Sequence, residues 1–92
     1  MNIFEENERG YQTTHKKANC LHGGIISNMN ECVTASIQLK RKYVGRTTSN
    51  IRPAGCYWYN KQHTYFNTII DLSNTRPNKF GNRGGICIKS ST

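Results

Sequence analysis

Residues Arg52 to Thr68 read RPAGCYWYNKQHTYFNT and hold the only tryptophan, three of the five tyrosines and one of the four cysteines. Aromatic and β-branched residues on either side of a polar centre are strand-like, and Asn60 to His63 has the length of a hairpin connection. The expected strands are Cys56 to Tyr59 and Thr64 to Thr68, with Pro53 and Gly55 setting the approach. Side chains alternate along a strand, so Cys56 and Trp58 share one face while Tyr57 and Tyr59 share the other. Trp58 has the most area to bury and a paired cysteine belongs under cover. That face is therefore expected to be structural, leaving the tyrosine face and the NKQH turn to meet a partner.

The element that covers the structural face is expected to be a helix beginning at Asn28. Asn28 serves as N-cap with Glu31 three residues later, a capping-box arrangement. Cys32, Ala35, Ser36 and Leu39 then fall at i, i+3, i+4 and i+7, one helical face, which Val33 and Ile37 widen. Lys40, Arg41 and Lys42 close the segment, where cations suit the negative end of the helix dipole.

A hairpin and one helix make a small core. Apolar residues and glycine supply about 38% of the 92 residues, against roughly 45 to 50% in typical globular domains. A chain of this size buries only about two thirds of its unfolded surface. Four cysteines in so short a chain are the expected staples.

The formal charge is +8. Glu5, Glu6 and Glu8 supply three of the five acids, so the body beyond them is more basic than the total. That balance favours an anionic partner: nucleic acid, a sulfated or carboxylated glycan, acidic lipid headgroups or the acidic face of another protein. No apolar run reaches membrane-spanning length, and the first residues have neither the basic nor the apolar region of a signal peptide. Paired cysteines would then imply a mature form or fragment, or oxidation by another route, such as within a virus particle.

Residues 1 to 9 read as an acidic flexible arm, 10 to 89 as one cysteine-stabilised domain and 90 to 92 as a frayed tail. Within the domain, Tyr11 to Thr14 is expected as a short strand and Ile25-Ile26 as an apolar cap on the core. Tyr43-Val44-Gly45 reads as a turn out of the helix, and Arg46 to Ile51 as a polar crossover. Residues 73 to 85 read as a long polar loop with Phe80 its one large apolar residue, and Ile86 to Lys89 as a closing strand. The expected fold class is α+β: one amphipathic helix packed on a small antiparallel sheet with a central β-hairpin, stapled by two disulfides.

Taken together, Tyr11, Cys20, Glu31, Cys32, Ala35, Leu39, Pro53, Gly55, Cys56, Tyr57, Tyr65, Phe66, Asn67, Ile86 and Cys87 form an ordered pattern. It resembles a small cysteine module found in predicted proteins of dinoflagellates, haptophytes, other marine plankton and some of their large viruses. The resemblance covers roughly residues 10 to 89. It departs at Ser36, where a second Ala is usual, and at Tyr43-Val44-Gly45, where a Leu-Gly-Leu type exit is usual. The resemblance implies a disulfide-stapled, non-catalytic surface module, with no established activity to transfer.

Four cysteines allow three pairings, and the sequence leaves the connectivity open. The favoured set joins Cys32 in the first helical turn to Cys56 in the hairpin, fastening the two main elements, and Cys20 to Cys87, tying the two ends. A metal site would need Cys20, His22, Cys32, Cys56, His63 or Cys87, and no C-x-x-C or H-x-x-x-H spacing exists. Four paired cysteines leave no thiol nucleophile, and no hydrolase or phosphate-binding motif occurs. Neither metal, cofactor nor catalysis is expected.

The expected function is a non-enzymatic binding or structural module, a surface or assembly component of extracellular or virion location. Its partner would be an acidic protein or glycan, and the alternative is a small basic nucleic-acid-binding protein. The expected contacts are Lys40, Arg41, Lys42, Arg46, Arg52, Tyr57, Tyr59, Lys61, Arg76, Lys79 and Arg83. Tyr65 and His63 lie close enough to join an aromatic surface able to stack on bases or sugars.

Overall fold

The computed structural model describes residues 10–70 and 81–89. The expected acidic arm at 1–9, the expected frayed tail at 90–92, and Arg76, Lys79 and Phe80 of the expected long loop lie outside them. The described chain forms one helix packed on a five-stranded sheet, held by two disulfides, an α+β architecture. The strands are β1 (Tyr11–Thr13), β2 (Lys42–Thr47), β3 (Gly55–Tyr59), β4 (His63–Asn67) and β5 (Arg83–Ile88), and the helix α1 is Met29–Gln38. Spatial order is β1-β5-β3-β4-β2. Three pairs are antiparallel, but β2 lies parallel to β4, so the sheet is mixed rather than purely antiparallel.

The β3–β4 hairpin forms around the expected residues, with Cys56 opposite Phe66, Tyr57 opposite Tyr65 and Trp58 opposite Thr64. Asn60 adopts a left-handed φ of 52° in the connection, a conformation Asn tolerates better than most residues. Cys32 and Cys56 are joined, so α1 sits on the Cys56 and Trp58 face as expected. Beneath it Tyr11, Ile26, Cys32, Ala35, Cys56, Phe66 and Ile86 form the main core, flanked by half-buried Leu39, Tyr43, Trp58, Ile70 and Ile88. A second cluster, Cys20, Ile25, Ala54 and Cys87, is built around the other bridge. The pair Ile25-Ile26 thus divides between two clusters, one residue in each.

Helix α1 starts where its cap predicts, with the Asn28 Oδ1 accepting from the Glu31 amide at 3.0 Å. Glu31 also holds the Tyr11 hydroxyl, which donates to Oε2 at 3.0 Å and ties β1 to the helix. Cys32, Ala35 and Ser36 are buried, but Ile37 is 69% exposed, so the apolar stripe is narrower than its sequence suggests. The helix ends at Gln38, and the basic triplet falls beyond its last turn. Lys40 takes a left-handed φ of 59°. Its amide donates to Ile37 O at 3.0 Å while the Arg41 amide donates to Ser36 O at 2.9 Å, the two bonds of a Schellman stop. The Ser36 hydroxyl then donates to Arg41 O at 3.0 Å. The serine thus satisfies its own buried hydroxyl and fastens the exit of the helix.

The turn and crossover expected at Tyr43 to Ile51 are instead largely strand β2. Tyr43, Gly45 and Thr47 are half-buried and Lys42, Val44 and Arg46 exposed, the uneven cover of an edge strand, and a bulge between Tyr43 and Gly45 puts Tyr43 on the helix side but Thr47 on the tyrosine side. Charged outward residues and a bulge are common guards of an exposed edge. No local pattern marks the strand, because Gly45 reads as a turn and its partner Tyr65 is 20 residues away. Likewise β5 begins at Arg83, three residues before the expected Ile86, because Gly84 and Gly85 pair with Trp58 and Tyr57. A side chain at Gly84 would lie 2.7 Å from the Trp58 indole nitrogen. Its absence lets that nitrogen reach Thr14 O at 3.2 Å.

Candidate functional site

The sheet face away from α1 gathers the alternate residues of three strands. On β3 and β4, Tyr57 and Tyr65 stack with ring centroids 5.5 Å apart and planes at 17°. Tyr59 lies 6.5 Å from Tyr65, tilted by 60°, and 6.5 Å from His63. From β5, the Arg83 guanidinium sits over the Tyr59 ring, 4.2 Å from its centroid. Cross-strand registry produces this surface, since Tyr57 pairs with Tyr65, and Tyr59 pairs with both His63 and Arg83. The result is a ladder of aromatic rings with a cation at one side.

The members of that ladder are unequally available. Tyr57, expected as a contact residue, is only 2% exposed. It occupies the middle strand, stacked on Tyr65, with its hydroxyl in a 3.1 Å hydrogen bond with the Thr47 hydroxyl. Burial raises the pKa of its phenol, an effect partly offset by the Thr47 hydrogen bond and by nearby Arg83 and Arg52. Tyr57 is therefore a support for the surface rather than part of it. Tyr59, His63, Tyr65 and Arg83 are half-buried, each with an accessible portion. His63 Nδ1 is 3.2 Å from the Asn60 side-chain oxygen, which fixes the ring against the turn.

The remaining predicted contacts scatter. Arg52 is half-buried beside Tyr57, whose phenol feels its charge. Lys42 and Arg46 are both exposed on β2, and Arg46 lies near the Tyr43 phenol on the helix side. Lys40 and Lys61 are exposed in turns. Arg41 folds inward over Trp58, at 5.9 Å from the ring centroid. Phe66, 7% exposed, belongs to the core.

The electrostatics are one-sided. Ten of the thirteen Lys and Arg residues lie in the described chain, against one acid, Glu31. All four cysteines are paired, Cys20 with Cys87 and Cys32 with Cys56. Among the described residues no cluster of three His, Cys, Asp or Glu is placed to hold a metal ion. No described helix is long and apolar enough to cross a membrane. What the surface offers is stacking, cation–π contact and hydrogen bonds from hydroxyl, imidazole and guanidinium groups.

The fold and this surface define a disulfide-stapled α+β module with an aromatic, basic sheet face. Comparison with protein-family models, curated proteins and solved structures returns no match.

Proposed function

We propose that the protein is a non-enzymatic binding module, stabilised by disulfides, that holds an acidic protein or glycan partner on its open sheet face. The carrying observation is the half-exposed Tyr59 and Tyr65 pair with Arg83 stacked on Tyr59. Rings of this kind offer flat apolar area to a sugar or side chain, and the cation beside them selects negative charge. Two bridges in a small basic domain suit an oxidising setting, outside the cell or on a virion surface, as a component of a larger assembly.

The test is calorimetric titration with a heparin fragment and with polyglutamate, using the native protein and a Tyr59→Ala/Tyr65→Ala variant. At least one probe binds, and the double variant loses tenfold or more. No binding to either, or equal binding by the variant, refutes the reading. The alternative partner is single-stranded nucleic acid, since each base stacked on an aromatic ring contributes about 1 to 3 kcal/mol. Oligonucleotide affinity exceeding that for both probes, falling steeply with salt through counterion release, would favour it. Titration of thiols in the unreduced protein tests the setting, with four reactive thiols counting against it.

A further inference from the structure

The helix side of the sheet carries a second basic feature that the tyrosine face does not explain. Thr13, Arg41, Trp58, Asn60 and Lys61 line a groove of 430 Å³ between the exit of α1 and the hairpin turn. Arg41 Nη2 donates to the Asn60 carbonyl oxygen, and the guanidinium rests 5.9 Å from the Trp58 centroid. Its Nε is buried with no hydrogen-bond partner, and no described residue forms an ion pair with it. Burial alone lowers the pKa of this guanidinium, with no neighbouring carboxylate to offset the effect. The one described acid, Glu31, is engaged with Tyr11. A half-buried guanidinium with an N–H left without an acceptor gains from an anionic partner, because a covered, unpaired donor is costly. Lys61, exposed on the same groove, adds a second positive charge.

We propose that this groove binds an oxoanion, the carboxylate, sulfate or phosphate group of a ligand, through unused N–H groups of Arg41 and the ammonium of Lys61, beside Trp58. An arginine suits such a group because its planar donors match two oxygens at once, while a lysine adds a point charge. The inference does not rest on the tyrosine face, which lies on the other side of the sheet.

Trp58 is the only tryptophan, so intrinsic fluorescence reports the groove directly. Sulfate, inorganic phosphate and acetate are titrated separately at ionic strength held constant with chloride. A saturable change in Trp58 emission is expected with at least one, and the tightest of the three identifies the preferred group. Losing a charge-assisted bond predicts that Arg41→Gln weakens binding about tenfold or more, and Lys61→Gln weakens it less. Arg46→Gln, on β2, leaves it unchanged, as does Tyr59→Ala/Tyr65→Ala. The proposal is overturned by responses no larger than the chloride control, or by a folded Arg41→Gln variant with wild-type affinity. Should Arg41→Gln not fold, the Arg41 Nε–H resonance of the native protein decides. A saturable shift on adding the anions sustains the site, and no shift overturns it.

Discussion

Asn67 ends β4 fully buried, and its side-chain amide holds the segment that leads from β2 into β3. Oδ1 accepts from the amides of Ser49 and Ile69, each at 3.1 Å. Nδ2 donates to Ser49 O at 2.7 Å and Pro53 O at 3.0 Å, with a longer 3.5 Å approach to Arg52 O. Asn67→Leu removes all of these while keeping the branched outline, its bulkier methyl groups adding crowding in a fully buried site. Four good bonds at about 1 kcal/mol net each give roughly 4 kcal/mol. Water returning to half-buried Ser49 and Ile69 reduces the loss to roughly 3 kcal/mol. A 92-residue domain has only about 5 to 14 kcal/mol in total, so the loss is large. Asn67→Asp separates geometry from hydrogen-bond polarity. Its carboxylate keeps both acceptor bonds but turns an oxygen toward the Ser49 and Pro53 carbonyls, so repulsion joins the loss of two bonds. Burial and those carbonyls raise the folded-state pKa of the introduced carboxyl above the usual value near 4. Its stability contribution is then present below the unfolded pKa and lost as pH rises through the folded one. Urea unfolding followed by circular dichroism at pH 3.5 and pH 7 measures both effects. The reasoning fails if Asn67→Leu costs under about 1 kcal/mol, or if Asn67→Asp, relative to the native protein, is no less stable at pH 7 than at pH 3.5.

Gly55→Ala is expected to unfold the domain or cost at least about 3 kcal/mol, because Gly55 has a φ of 68° and an added Cβ would run into Ile26 O. Thermal unfolding checks it. Lys40→Gly, by contrast, should raise the melting temperature by a few degrees, since the left-handed strain of roughly 1 to 2 kcal/mol exceeds the added chain entropy of glycine. Burial raises the phenol pKa of Tyr57 and of Tyr43, so both stabilise the fold below pH 10 and that stability is lost as pH rises through their folded values. Stability in urea should therefore fall as pH rises above 10, and in the folded protein phenolate absorbance should develop late for two of the tyrosines.

Much of the frame was legible because local rules and long-range packing agree in it. Asn28 and Glu31 mark the start of α1, the spacing of Cys32, Ala35 and Ser36 marks its buried side, and alternation places Cys56 and Trp58 beneath it. The expected pairings, Cys20 with Cys87 and Cys32 with Cys56, are those of the structure. β2 was hidden because its half-buried residues, Tyr43, Gly45 and Thr47, carry little apolar signal and a bulge breaks the period. Alternation also assigned Tyr57 to the correct side of the sheet but could not reveal that a central strand is covered by its neighbours there. Arg83 joins Tyr59 only through the registry of β5 with β3, and Arg41 reaches Trp58 only through the geometry of the helix stop. Both depend on contacts between residues far apart in the chain.

The Cys20–Cys87 bridge also fixes how the protein bears mechanical load. Gly10 and Lys89 are neighbours, joined by the Lys89 amide donating to Gly10 O at 2.8 Å at the open end of the β1–β5 ladder. Tension applied at these two points would peel β1 from β5 bond by bond and then stop at the covalent link. The chain between residues 20 and 87, a separation of 67, would feel no force. With both bridges reduced, the same pull would release that length, about 230 Å at roughly 3.4 Å per residue. Oxidised, the domain yields only the twelve or so residues outside the bridge, about 40 Å at the same rise, and the sheet between Cys20 and Cys87 keeps its shape under load.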